Sequence, residues 1–90
     1  MFGAAIADAS KITVKKGLPM TLGAYLGRVS QGSIAYRAGL RAGDIVVELN
    51  MRRIATADDL EAAISKLRRG SHFSVVFLRG NKELTSEGTA

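Results

Sequence analysis

Residues 35–50 read AYRAGLRAGDIVVELN, and this stretch decides how the chain must turn. Ser33, just upstream, suits the N-cap of a short helix running to Ala38, because its hydroxyl can accept from the free amides of the first turn. Gly39 then provides the left-handed stop, and Leu40 can fold back over the helix end in a Schellman arrangement. Gly43 permits a tight turn, and Asp44 can accept backbone hydrogen bonds inside it. Ile45, Val47 and Leu49 alternate as the expected inward face of a strand. Val46 is apolar as well, so the strand's second face should also be partly covered. The stretch is therefore a helix-to-strand reversal.

Working outward toward the N-terminus, Leu22–Val29 predicts a strand in which Gly23 and Gly27 leave room for close backbone contact. Phe2–Ala7 predicts another strand. The residues between them, Asp8–Thr21, carry Lys15, Lys16 and the Gly17-Leu18-Pro19 break and are expected to form a mobile connection. Toward the C-terminus, Thr56 and Asp59 form a capping-box-like start in which aspartate is a weaker substitute for glutamate, and Leu60, Ala63, Ile64 and Leu67 recur at helical spacing as one buried face. Lys66, Arg68 and Arg69 are placed in that helix's last turn, where cations complement the helix dipole, and Gly70 is placed at its end. Phe73, Val75 and Phe77 alternate as a strand, Gly80-Asn81 suits a two-residue hairpin, and Lys82–Ser86 can return antiparallel. The chain end, from Ser86 onward and above all 87–90, is expected to fray.

A chain of 90 residues fits a single domain, taken as 1–86 with 87–90 as a tail, and buries roughly 60–65% of its unfolded surface. A hydrophobic fraction of 47%, with ten Gly and one Pro, lies in the ordinary globular range. There is no cysteine, so disulfides and thiolate metal sites are excluded while the redox compartment stays unread. Apolar runs such as Val75–Leu78 are far shorter than the ~20 residues that cross a bilayer, so no direct membrane insertion is expected. The start lacks a basic signal-peptide region, and its abrupt apolar opening at Met1-Phe2 suggests a domain cut from a longer protein. Thirteen Lys and Arg against eight Asp and Glu give a formal charge of +5. The basic residues are dispersed among apolar segments, which reads as a solvated surface and not as an anion-binding stripe.

No constellation for catalysis is present. His72 is the single histidine, beside Gly70-Ser71 at a strand entrance, and reads as solvated. No serine lies in a G-x-S-x-G elbow, and one histidine without cysteine cannot assemble a zinc site. Asp58-Asp59 is explained by its place at a helix N-terminus. Neither phosphate-binding glycine motif occurs, and Tyr25 and Tyr36 form no aromatic-basic RNA-binding pattern. The expectations are no catalytic residue, no metal, no cofactor and no nucleic-acid partner.

The string G-S-x-A-x-x-A-G-L-x-x-G-D-I-V at residues 32–46, followed by Asn50, by T-x-x-D-L at 56–60 and by Leu78-Arg79-Gly80, resembles a PDZ domain of the bacterial HtrA, DegP-like type. The likeness extends over essentially the whole chain and implies an α+β fold: a small β-sandwich or partly open barrel of five or six strands capped by two helices. It also implies a groove between a strand and the longer helix that takes an extended peptide, usually at its free C-terminus. The carboxylate-binding loop then falls on Phe2-Gly3-Ala4, with Ala4, Ala5 and Ile6 beginning the strand that pairs with the peptide. Phe2, Ala4 and Ile6 face the terminal side chain's pocket, Ile64 closes it, and Ala57 and Glu61 meet residues further from the peptide end. Successive turn amides make an anion nest and an open strand edge accepts another strand, whatever the family. The resemblance further implies a covalently linked protease or membrane-associated host and an extracytoplasmic location. An assembly domain whose groove is occluded by its own host is the other reading. Three positions depart from the family pattern: no basic residue precedes the loop, Met51-Arg52 stands where Gly-Lys is common, and the closing strand looks short. A positive φ at Met51 costs roughly 1 kcal/mol.

Overall fold

The computed structural model describes residues 2–17 and 20–90, so Leu18 and Pro19 of the expected break lie outside the described residues. Period-two patterning in the sequence becomes a six-stranded antiparallel sheet. The elements run β1 (Ala4–Asp8), α1 (Ala9–Lys15), β2 (Ala24–Val29), α2 (Ile34–Arg37), β3 (Ile45–Leu49), β4 (Arg52–Arg53), α3 (Ala57–Ser65), β5 (His72–Arg79) and β6 (Lys82–Thr89). The sheet order is β1-β2-β3-β5-β6, with β4 paired to β3. Leu26, Val46, Leu49, Val75 and Phe77 from the strands bury against Ala35, Leu40, Leu60 and Ala63, giving one core under α2 and α3.

The reversal at 35–50 forms as its residues dictate. Ser33 Oγ accepts from the Tyr36 amide, the Gly39 amide donates to the Tyr36 carbonyl, and the Leu40 amide donates to the Ala35 carbonyl, which together make a Schellman end with Gly39 at φ +93°. Asp44 does more than hold a turn. Its carboxylate is 1% exposed and accepts from the Arg41 amide and from both Nε and Nη2 of Arg79, at 2.8–2.9 Å. Arg79 Nη2 also donates to the Gly39 carbonyl, so one guanidinium ties the end of β5 to the end of α2. The bonds to Asp44 raise the Arg79 pKa above its ordinary value, burial opposes that, and the carboxylate's charge adds to the rise. A raised arginine pKa means its contribution is complete at every pH below the ordinary arginine value and is lost only above it.

The structure corrects several expectations. A third helix is present: Ala9–Lys15, read as a mobile connection, is α1. It lies on the sheet face opposite the main core, where Ile12, Thr13 and Lys16 share a crevice with Tyr25, Ile45 and Leu78. Thr13 Oγ1 returns a bond to the Ala9 carbonyl, and buried Ala9 donates its amide to Gly23. Tertiary contact thus stabilises a seven-residue segment whose β-branched Ile12, Thr13 and Val14 and short length disfavour an isolated helix. In β3 the core-facing residues are Val46 and Leu49, while Ile45 and Val47 are only half-buried. A register shift against β5 leaves Val47 as the extra residue, which reverses the inward parity between Val46 and Leu49.

α3 ends at Ser65, a turn earlier than its apolar pattern. The Ser65 hydroxyl donates to the Ala62 carbonyl and the Lys66 amide to Ala63, tightening the last turn. Lys66, Arg68, Arg69 and Gly70 therefore belong to the following connection and not to the helix, although Leu67 still packs on the core. The chain end is not frayed. β6 pairs with β5 through Thr89, Ser86 Oγ donates to the Ala38 carbonyl, and the Ala90 amide donates to Ser71. Side-chain bonding to α2 and a full ladder hold a segment too polar to read as buried.

Two outcomes follow for stability. Arg79→Ala leaves the Asp44 carboxylate buried with one donor and should lower unfolding free energy by roughly 2–4 kcal/mol, below a fully buried pair because Arg79 is half exposed. Met51 sits at φ +67° beside Asn50 at φ +49° and is fully solvated, so Met51→Gly should raise it by about 0.5–1 kcal/mol. Chemical denaturation of the variants checks both.

Candidate functional site

The chain's first described residues form a fixed loop at the head of β1. The Phe2 carbonyl accepts from the Ala35 amide of α2 at 3.0 Å, and the Gly3 carbonyl accepts from Ser30 at 2.8 Å. Gly3 has φ +87°, and a Cβ there would run into the Ser33 side chain, so glycine is required twice over, by conformation and by space. With both carbonyls committed inward, the amides of Phe2 and Gly3 donate no hydrogen bond among the described residues. Consecutive free amides in such a turn are the makings of an anion nest.

β1 pairs with β2 along one side only. The Gly3 carbonyl and the Ala9 amide both bond toward the β2 side, so at the alternate residues Ala4, Ile6 and Asp8 the main-chain groups face the open edge. The bulge between Ala5 and Ile6 is absorbed by β2, where Gly27 is the extra residue, and leaves this alternation in β1 intact. Five residues of open strand offer an edge about 16 Å long.

The second wall is α3. Thr56 Oγ1 accepts from the Asp59 amide and Asp59 Oδ2 accepts from the Thr56 amide, the capping box expected from the sequence. Leu60 and Ala63 point into the core, which turns Glu61, Ile64 and Ser65 toward β1. The spacing between the two walls is set at one end by Asp8, whose Oδ1 accepts from the Ala57 amide at 2.7 Å. Asp8 precedes α1 yet makes no side-chain cap for it, because its carboxylate is used across the groove.

Between the walls lies a cavity of about 240 Å³ lined by Phe2, Gly3, Ala4, Ile6, Glu61, Ile64 and Ser65. Phe2 is also core, 5% exposed and tilted against Phe73 with ring centroids 6.3 Å apart. A second cavity, of about 430 Å³, shares Phe2, Ile64 and Ser65 and continues past the loop to Ile34, Leu67, Arg69 and Ala90. Of the eight residues singled out in the sequence, six thus line one cavity. Ala5 is exposed and Ala57 stands at the Asp8 end, outside the cavity lining. Asp8, Ser65 and Arg69 were not singled out. The T-x-x-D cap fixes where α3 begins, and a carboxylate just upstream in space was the missing partner for its first amide. His72 is remote and exposed, with Nδ1 3.3 Å from Thr89 Oγ1.

Comparison with known proteins identifies the fold. A family model described as PDZ domain matches residues 3–87. The periplasmic serine endoprotease DegP of Salmonella typhimurium is 31% identical over 80 residues, 89% of this chain and 16% of that protein. The mitochondrial serine protease HTRA2 of Drosophila ananassae is 34% identical over 65 residues, 72% of this chain and 15% of that protein. The chain therefore spans only about one sixth of the curated relatives it matches. Among solved structures, the HtrA3 PDZ domain bound to a phage-derived ligand, FGRWV, superposes with a TM-score of 0.81 at 24% identity, covering 99% of this chain and 82% of that one.

Asp8→Ala should cost about 1–2 kcal/mol of stability by orphaning the Ala57 amide. It should also shift the amide resonances of Ala57 and Ile64 while leaving those of β6 in place, as read by two-dimensional NMR.

Proposed function

The chain belongs to the PDZ domain family, and on that premise we propose that it is a peptide-binding module that captures C-terminal or extended segments by strand addition to β1. The observation that supports this best is the coincidence of three features at one place: an open β1 edge, free Phe2 and Gly3 amides at its head, and an apolar cavity walled by Ile64. The peptide backbone joins β1 antiparallel to it, and its terminal carboxylate meets the loop amides. Its last side chain fills the cavity over Phe2, Ala4, Ile6 and Ile64. The HtrA3 PDZ domain's ligand ends in valine, a side chain of the size and polarity this cavity suits.

The energetics suit a weak, reversible reader. About four strand-pairing hydrogen bonds at ~0.5–1.5 kcal/mol each and one buried side chain at ~1.5–3 kcal/mol work against several kcal/mol of ordering. Micromolar affinity results. Such a module can hand substrates to a linked protease or report an exposed terminus to it. The protease names of the relatives support that role, and the DegP name supports an extracytoplasmic location. Catalysis then belongs to a part of the host outside this domain.

The competing reading, an assembly domain whose groove is occluded by its host, finds no support from the segments described. Among the described residues none fills the cavity, and α1 lies on the opposite sheet face. Titration of FGRWV should shift the amide resonances of Gly3, Ala4 and Ile64. The same peptide with an amidated terminus should bind at least tenfold more weakly; equal shifts from the two forms would refute carboxylate capture. Ile64→Ala should weaken the free-acid peptide by about five- to twentyfold through lost apolar contact.

A further inference from the structure

We propose that Arg69, on the connection after α3, is the cationic partner of the bound peptide's terminal carboxylate. The inference rests on the peptide-capture reading above and adds to it a residue from outside β1 and α3. Because α3 stops at Ser65, Arg69 is released from the helix and lines the 430 Å³ cavity together with Phe2, Ile64 and Ser65. Those three residues also line the groove, so the two cavities adjoin across Phe2, Ile64 and Ser65.

The connection bearing Arg69 is held on both sides. The Leu67 amide donates to Ile64, the Arg68 carbonyl accepts from both the amide and the hydroxyl of Ser71, and the Gly70 amide donates to the Ala90 carbonyl. Arg69 itself makes no ion pair or hydrogen bond among the described residues. No Asp or Glu lines this cavity, and Glu61 lines only the other one. An exposed guanidinium on a pinned loop, lining a cavity that shares Phe2 with the groove, can add its charge to the carboxylate site made by the loop amides. Charge-assisted hydrogen bonding adds to the neutral amide bonds there.

The test compares Arg69→Gln, Arg69→Lys and Lys82→Gln, the last removing the same charge at the β5–β6 hairpin. Each binds FGRWV as free acid and as amide, followed by calorimetry or NMR at low and moderate salt. Arg69→Gln should lose about three- to tenfold in affinity for the acid and little for the amide, with a flatter salt dependence. Arg69→Lys should recover part of the loss, and Lys82→Gln should match the unaltered chain. Unchanged acid binding by Arg69→Gln, or an equal loss in Lys82→Gln, overturns the assignment while leaving peptide capture standing. Equal binding of acid and amide by the unaltered chain instead brings down the capture reading and this assignment with it.

Discussion

The buried Asp44 carboxylate is the constraint from which the rest of the molecule is organised. A charge taken almost wholly out of water is tolerable only if its oxygens are filled, and here they receive the Arg41 amide and two Arg79 nitrogens. Satisfying it fixes the turn between α2 and β3 and fastens the end of β5 to the same spot through the Gly39 carbonyl. Asp44's own carbonyl accepts from Leu26, which continues the anchoring into β2. Once α2 is placed in this way, the Ala35 amide is where it must be to hold the Phe2 carbonyl. The distant loop at the head of β1 therefore inherits its geometry from a carboxylate in the middle of the chain.

The groove itself depends on a second carboxylate. Asp8 closes one end by bonding the first amide of α3, and Gly3 shapes the other end by lying against Ser33. Between these anchors β1 keeps an unpaired edge, which in most sheets is a hazard for uncontrolled association. Here the open run is five residues long, made largely of alanine, and overlooked by a helix. A short edge beneath a wall admits one extended chain and discourages a second sheet. The feature that makes peptide capture feasible also limits it to a brief, specific stretch.

The opposite sheet face has its own organisation. Val47, Val76, Leu78 and Leu22 line a cavity of about 400 Å³ rimmed by Glu48, Arg53 and Glu83. Val47 reaches it by ordinary alternation after core-facing Val46, and the bulge that follows returns Leu49 to the core side. α1 covers the neighbouring part of that face, so the sheet is sandwiched over part of its area and open over the rest.

Local signals determined much of this protein from sequence alone. Ser33, Gly39 and Leu40 dictate a capped and terminated helix, Thr56 and Asp59 dictate where α3 starts, and alternating Phe73, Val75 and Phe77 dictate a strand, because each is a short-range rule of backbone bonding or side-chain parity. The resemblance carried by residues 32–46 and 56–60 pointed to the fold and to six of the residues that line the groove. Tertiary structure alone decided the remainder. α1 exists because Thr13 and Ala9 find partners on the sheet, against weak intrinsic propensity. The inward face of β3 changed because a bulge moved its parity, and β6 ran on to Thr89 because α2 supplied Ser86 with a carbonyl. The pairing of Asp8 with Ala57, of Asp44 with Arg79, and the approach of Arg69 to Phe2 join residues 35 to 67 positions apart. No local pattern encodes such contacts, since the energy that selects them is gained only when the chain has closed on itself.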